Sequence, residues 1–199
     1  MKPVLIFSLD IETSGPIYTK HGILGIGWCA GRKDGTFDSG QINMFLPEGT
    51  DFEQKCWEEF WSKNISTLQK LKEGAVSPAE GIKNFISILD GYEQDYDVMI
   101  VTDNPSFDVG FINYYLATYL VRNPLTYDSF GKYRPIFDTD CYTRGVLHMQ
   151  YDNKWTSDRD VIAHLNIDTS EFTSHSHTPQ DDAVRIFQLH RAVLQKLAK

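Results

Sequence analysis

The sequence predicts an α/β domain in which helices pack on one mixed sheet. Three observations predict it. Residues 2–46 hold three short apolar runs separated by turn residues, residues 97–102 hold a fourth, and the apolar residues elsewhere recur at helical spacing. The order is three strands, helices, a strand, then helices.

Lys2 to Ile11 reads as the first strand, built on Val4-Leu5-Ile6-Phe7. Ile23-Leu24-Gly25-Ile26-Gly27-Trp28-Cys29 reads as the second, with glycines where backbones approach closely. A turn at Gly31-Arg32-Lys33-Asp34-Gly35 leads to a third strand over about 37–46, completing an antiparallel meander. From Asp51 to about Asn64 the spacing predicts a helix with Phe52, Cys56, Trp57, Phe60 and Trp61 on one side, an aromatic stripe that reads as core. Ser77-Pro78-Ala79-Glu80 is a helix start, with Ser as N-cap, Pro at the first position and Glu closing a capping box. Ile82, Phe85, Ile86 and Leu89 continue it, and Gly91 marks its expected end. Asp97 to Thr102 is a short strand, and a helix follows over about 107–120. Residues 122–136 read as a loop, with helices expected over about 139–149 and 157–165. A polar loop over 168–177 precedes a final helix from Pro179 to Leu197, with Val184, Phe187, Leu189, Val193, Leu194 and Leu197 apolar.

The chain has 199 residues, and no repeat, low-complexity tract or linker divides it, so residues 1–199 read as a single domain. No apolar run approaches the roughly 20 residues of a membrane helix, so no membrane partner is expected. Met1-Lys2-Pro3 and the short run behind it lack the apolar core and cleavage site of a signal peptide, which predicts a cytoplasmic protein. Cys29, Cys56 and Cys141 are far apart and odd in number, so they read as free thiols. The net charge of −8 argues against a protein that coats duplex nucleic acid by neutralising phosphates. It leaves room for an enzyme whose bound divalent cations supply positive charge locally.

Three places put acids where structure alone does not ask for them. Asp10 and Glu12 end the first strand and, with period 2, share one face. Asp108 lies just past the strand at 97–102, in the first turn of a helix. Asp182 follows Asp181 in the first turns of the last helix. A helix N-terminus favours an anion by about 0.3–1 kcal/mol, so Asp108 and Asp181, taken singly, have an ordinary explanation. The strand pair has none. Hard oxygen ligands from separate elements suit Mg²⁺ or Mn²⁺, and two such ions about 3.5–4 Å apart serve phosphodiester cleavage. His177 precedes Asp182 by five residues, and an ordinary imidazole titrates near 6.5, which suits a general base at neutral pH. A lone loop histidine is more often a surface residue, and His175 lies two positions away.

Together, Asp10-Ile11-Glu12-Thr13, Asn104-Pro105-Ser106-Phe107-Asp108 and His177-Thr178-Pro179-Gln180-Asp181-Asp182-Ala183 resemble the three motifs of the DEDDh (DnaQ-like) 3′-5′ exonucleases of the ribonuclease H-like superfamily. The resemblance spans residues 10–183. It implies a ribonuclease H-like fold, a five-stranded mixed sheet with three antiparallel strands first, flanked by helices, the fifth strand falling at about 134–138. It implies that Asp10, Glu12, Asp108 and Asp182 hold two divalent cations, Mg²⁺ or Mn²⁺, and that His177 is the general base. Thr13, Ser14 and Gly15 would lie against the terminal nucleotide, with Asn104 and Phe107 beside it. Asp138-Thr139 is similar to a structural pair in many members. Asp103 and Pro105 replace the family's usual His and Ala around Asn104, Pro179 replaces an Ala, and 47–91 matches no member closely.

The implied activity is metal-dependent 3′-5′ exonuclease action on single-stranded DNA or RNA 3′ ends, releasing nucleoside 5′-monophosphates. Stacking on Tyr18, Phe107 or aromatics of the 122–136 loop would supply affinity without basic charge. A homodimer is left open. The alternatives are a non-catalytic nucleic-acid-binding or polymerase-associated module on the same fold, and an endonuclease of that fold.

Overall fold

Alternation along the first strand sets the architecture. The computed structural model describes residues 2–146 and 158–197. In β1 (Val4–Thr13), Leu5, Phe7, Leu9 and Ile11 bury on one face, and Ile6, Ser8, Asp10 and Glu12 lie on the other. β2 (Ile23–Gly31) and β3 (Phe37–Asn43) complete the antiparallel meander, and the sheet order is β3-β2-β1-β4-β5. β4 (Asp97–Thr102) and β5 (Ile136–Asp138) run parallel to β1, so the C-terminal ends of all three lie together.

Between β3 and β4 come α1 (Gln54–Glu59), a 3₁₀ turn (Trp61–Lys63), α2 (Ile65–Lys72) and α3 (Pro78–Asp95). α4 (Pro105–Tyr115) follows β4 and runs on through a π-turn (Leu116–Leu120). α5 (Thr139–Val146) and α6 (Asp158–Leu165) precede α7 (Pro179–Leu197). The last residues of the predicted 139–149 helix, and Ser157, lie outside the described residues.

The larger core packs Leu5, Phe7 and Leu9 against Phe85, Ile86 and Leu89 of α3 and Phe111, Ile112 and Tyr115 of α4. On the opposite face Ile6, Cys29 and Val101 meet Ala183, Val184, Ile186 and Phe187 of α7. Fully burying each large apolar side chain contributes about 1.5–3 kcal/mol, which presses both helix layers onto the sheet. Asp10 and Glu12 therefore face α7.

Three expectations need correcting. The helix predicted over 51–64 breaks at Phe60 (φ −125°, ψ −67°), and an unpredicted helix, α2, follows. The break turns Trp61 inward, fully buried, where its Nε1 donates to the Thr13 carbonyl (2.9 Å). Gly91 does not end α3, which continues to Asp95 because Glu93 is buried beyond it and ion-paired with Arg134. Strand β3 stops at Asn43, whose side chain donates to the carbonyls of Lys70 and Glu73. The Ser77 cap is as predicted, its hydroxyl accepting from the Glu80 backbone N–H.

Candidate active site

The site forms where β1 meets the start of α7. Asp10 pairs across the sheet with Gly27 of β2, and a Cβ on Gly27 would lie 1.9 Å from the Pro179 carbonyl oxygen. Only a residue without a side chain lets α7 descend this far onto the sheet. Ser8 then ties the two together, its hydroxyl donating to the Ala183 carbonyl at 2.6 Å. One residue earlier on the helix, buried Asp182 points back toward β1. Carboxylate oxygens of Asp10, Glu12 and Asp182 lie within 4.8 Å of one another.

Such crowding is costly without a cation. Burial raises the Asp10 carboxyl well above its ordinary value, and Asp108, Glu12, Asp103 and Asp182 add to the rise in that order. Burial, then Asp182 and Asp108, pushes Glu12 up to about 8. Asp182 is raised by burial and partly relieved by His175, the Ser176 N–H and His177. Every neighbour raising Asp10 is itself an acid, and hard oxygen donors in this state suit a divalent cation.

Asp108 is brought near but does not join the three-membered group. It is buried in the first turn of α4, where it accepts a hydrogen bond from Thr102 Oγ1, and burial raises its pKa. Asn104 is exposed just ahead of α4, and half-buried Phe107 packs on Phe111 with ring centroids 5.0 Å apart.

The turn after β1 is held tightly. Thr13 Oγ1 donates to the Gly15 carbonyl (3.0 Å), Ser14 Oγ donates to the Asp51 carbonyl (3.1 Å), and the Glu53 N–H donates to the Ser14 carbonyl (2.8 Å). With the Trp61 bond, these contacts give α1 and the 3₁₀ turn their role: they brace Thr13, Ser14 and Gly15 beside the acids.

His177 sits just before α7 with a left-handed backbone (φ 55°). Its ring stands edge-on to Phe60, centroids 4.9 Å apart and planes at 90°. Burial and His175 lower its pKa while Asp182 opposes them. His175, which the sequence offered only as a neighbour, is the residue in direct contact: its Nδ1 lies 3.0 Å from Asp182 Oδ1 and its ring 4.3 Å from that of His177. The Ser176 N–H also donates to Asp182 Oδ1 (3.1 Å), and Ser176 Oγ donates to Asp181 Oδ2 (2.8 Å). Asp103 was legible only as a departure from the family pattern, yet it adds to the field on Asp10.

Two placements revise the stacking candidates. Tyr18 is 45% exposed against Phe111 and Tyr114. The 122–136 loop lies at the other end of the sheet. Arg134 pairs there with Glu93, the Ser129 N–H donates to Glu93 Oε2 (2.6 Å), and Lys2, before β1, donates to the Glu93 carbonyl (2.6 Å). That is the N-terminal edge of the parallel strands, away from Asp10. Asp138 caps α5 by accepting from the Cys141 N–H (2.8 Å), a structural role. One chain supplies the whole acidic group, so no second copy is needed to complete it.

No protein-family model matches the chain. The nuclease domain of 3′hExo, a DEDDh family member solved bound to rAMP, superposes with a TM-score of 0.67 over 96% of this chain and 92% of that one, at 16% identity. The chain carries the fold of the DEDDh exonucleases. Escherichia coli exonuclease I in complex with a dT13 oligonucleotide also superposes on the chain (TM-score 0.64, 12% identity, 97% of this chain and 41% of that one). So does the RNase domain of the yeast Pop2 protein (TM-score 0.63, 14% identity, 96% and 77%). In sequence, the 3′-5′ DNA exonuclease Cap18 of Escherichia coli is 34% identical over 122 residues. The match covers 60% of this chain and spans 61% of that relative's length. Among the described residues no helix is long and apolar enough to cross a membrane.

Proposed function

We propose that this chain is a metal-dependent 3′-5′ exonuclease acting on single-stranded DNA or RNA and releasing nucleoside 5′-monophosphates. The observation that carries the reading is the group of Asp10, Glu12 and Asp182, three carboxylates drawn together by a sheet and a helix at real electrostatic cost. Asp10, Glu12 and Asp182 would hold one divalent cation, and Asp10 with Asp108 a second. When bound, Mg²⁺ or Mn²⁺ would supply water activation and stabilisation of the leaving oxygen of a phosphodiester.

The chain's own groups do the rest. His177 accepts the proton of the attacking water at a ring nitrogen, and its lowered pKa keeps that ring neutral near pH 7, with the nitrogen unprotonated to receive it. Phe60 holds the ring edge-on and restricts its swing. The braced backbone of Thr13, Ser14 and Gly15 presents a rigid wall to the terminal nucleotide, with Asn104 and Phe107 beside it. As the new P–O bond forms, the bond to the 3′ oxygen breaks and the terminal 5′-monophosphate leaves. The DNA exonuclease relative makes DNA the first substrate to try.

The test uses 5′-labelled DNA and RNA oligonucleotides, single- and double-stranded, with Mg²⁺ or Mn²⁺. The expected result is a ladder shortening from the 3′ end, abolished in Asp10→Ala and strongly reduced in His177→Ala. A single internal cut overturns the exonuclease reading in favour of an endonuclease. Binding without cleavage, indifferent to metal, overturns it in favour of a non-catalytic module.

A further inference from the structure

The loop ahead of α7 gathers a second donor set whose chemistry differs from that of the acids. His175, His177 and Asp182 each offer a ligand atom, and these atoms lie within 4.8 Å of one another. His175 Nδ1 and Asp182 Oδ1 are already 3.0 Å apart, and the two imidazole rings are in edge contact at 4.3 Å. Tetrahedral zinc, with ligands at about 2.0–2.1 Å, sets its donor atoms roughly 3.3 Å apart, so small side-chain rotations close the set. Imidazole nitrogen is a borderline-soft donor that favours Zn²⁺, Cu²⁺ or Ni²⁺ and is passed over by Mg²⁺, which takes oxygen. Three protein ligands leave a fourth position for water.

Access and rigidity support the same reading. The His175 side chain is 59% exposed, so an ion reaches it from solvent, while Asp182 is nearly enclosed. Asp182 is oriented by the Ser176 N–H, and the His177 ring is braced by Phe60, which fixes two of the three donors in advance. The contact between His175 and Asp182 is a hydrogen bond without the ion; a cation takes the place of the shared proton.

We propose that His175, His177 and Asp182 form a zinc-class metal site that excludes the catalytic arrangement. Zinc there occupies the ring nitrogen of His177 and an oxygen of Asp182, so it withdraws the base and one carboxylate at once. Binding is a claim about these three side chains alone; its inhibitory consequence rests on the exonuclease reading.

The two claims are tested separately. EDTA-stripped, dialysed protein is titrated calorimetrically with Zn²⁺ in the presence of excess Mg²⁺, and with Co²⁺ while visible absorption is recorded. The expected result is one tight Zn²⁺ per chain and the intense bands of tetrahedral Co²⁺. His175→Ala should weaken Zn²⁺ on the order of a hundredfold, at least what loss of an outer-shell partner costs. Asp10→Ala, which removes the oxygen group but leaves these donors, should bind Zn²⁺ within a few-fold of the parent. If His175→Ala does not fold by circular dichroism, His177→Ala is read for the same loss. Unchanged Zn²⁺ affinity without the histidine, or loss of Zn²⁺ in Asp10→Ala, overturns the site. In the nuclease assay, Zn²⁺ should inhibit the Mg²⁺-supported reaction of the parent. A protein that binds Zn²⁺ as described but cleaves nothing in Mg²⁺ refutes the exonuclease reading and leaves the zinc site standing.

Discussion

Asp10→Asn should make the metal-free protein more stable while destroying its use of metal. The folded chain holds the Asp10 carboxyl well above its ordinary 3.8, through burial and four neighbouring acids. At about pH 7 the unfolded chain carries Asp10 ionised, and folding must either take up a proton or bury the charge. Proton uptake over the gap between 3.8 and about 7, at about 1.4 kcal/mol per pH unit, sets a ceiling of about 4 kcal/mol on that cost. Asparagine avoids it. With half the ceiling recovered, and about 2–4 °C per kcal/mol for a chain of this length, the melting temperature in EDTA should rise by about 4–8 °C. The parent should gain about 2.7 kcal/mol, or about 5–11 °C, at a hundredfold excess of Mn²⁺ over its dissociation constant, and Asp10→Asn should gain little.

The pH dependence has a definite sign. A carboxyl with a raised folded pKa keeps protons that the unfolded chain has released, so its contribution is whole below its ordinary pKa and is lost as pH rises through the folded value. Glu12, moved from 4.5 to about 8, behaves the same way. His177 and His190, both lowered by burial, act oppositely, but their effect is flat above the ordinary histidine value of about 6.5. Between about pH 6.5 and 8.5 the parent in EDTA should therefore lose stability, and Asp10→Asn should lose less. Differential scanning calorimetry in EDTA across that range measures both. A variant that melts at or below the parent in EDTA refutes the idea that the acids at the end of β1 oppose folding.

Four further substitutions probe the scaffold. Gly27→Ala drives a methyl into the Pro179 carbonyl and should lift the start of α7, costing about 1–3 kcal/mol and nearly all nuclease activity; Gly91→Ala, with nothing within 4 Å among the described residues, should instead stabilise α3 by about 0.5–1 kcal/mol in a urea melt. Arg134→Ala strands the buried Glu93 carboxylate and should cost about 3–5 kcal/mol by the same melt, with little effect on metal binding because the pair lies at the far edge of the sheet. His190→Leu removes two buried ring nitrogens that have no hydrogen-bond partner among the described residues and should stabilise by about 1–3 kcal/mol at about pH 7 and by more at about pH 5, where folding must keep the parent's imidazole neutral.

What was legible in the sequence followed from periodicity and from misplaced charge. Strand β4 is a compact apolar run and helix α7 carries its helical period over its length, and both fall where expected, at Asp97–Thr102 and Pro179–Leu197. Asp10 and Glu12 were legible because a strand end gives an acid no helix dipole or turn to satisfy, which left a ligand as the remaining reason. The aromatic stripe of 51–64 kept helical spacing, but it could not show that the chain breaks at Phe60 so that Trp61 can hold the Thr13 carbonyl. That bond is long-range, and long-range contacts leave no local period. Gly91 misled for the same reason: a C-cap signal is local, and the buried Glu93–Arg134 pair that carries α3 past it joins residues 41 apart.

The histidines show the limit most sharply. The family spacing selects His177, five residues before Asp182, and the structure gives that ring a lowered pKa and an aromatic brace. Yet the imidazole touching Asp182 is that of His175. In a regular strand, residues two apart would face the same way, and the pair would read as a unit. The 168–177 loop has no such period, and His177 itself turns through the left-handed region, so sequence could not say which ring reaches the carboxylate. Both reach the same place. On the proposed reading, a base that shares its carboxylate with a second imidazole would meet oxygen-seeking and nitrogen-seeking ions at one place, and the ion bound would decide whether His177 is free to take a proton.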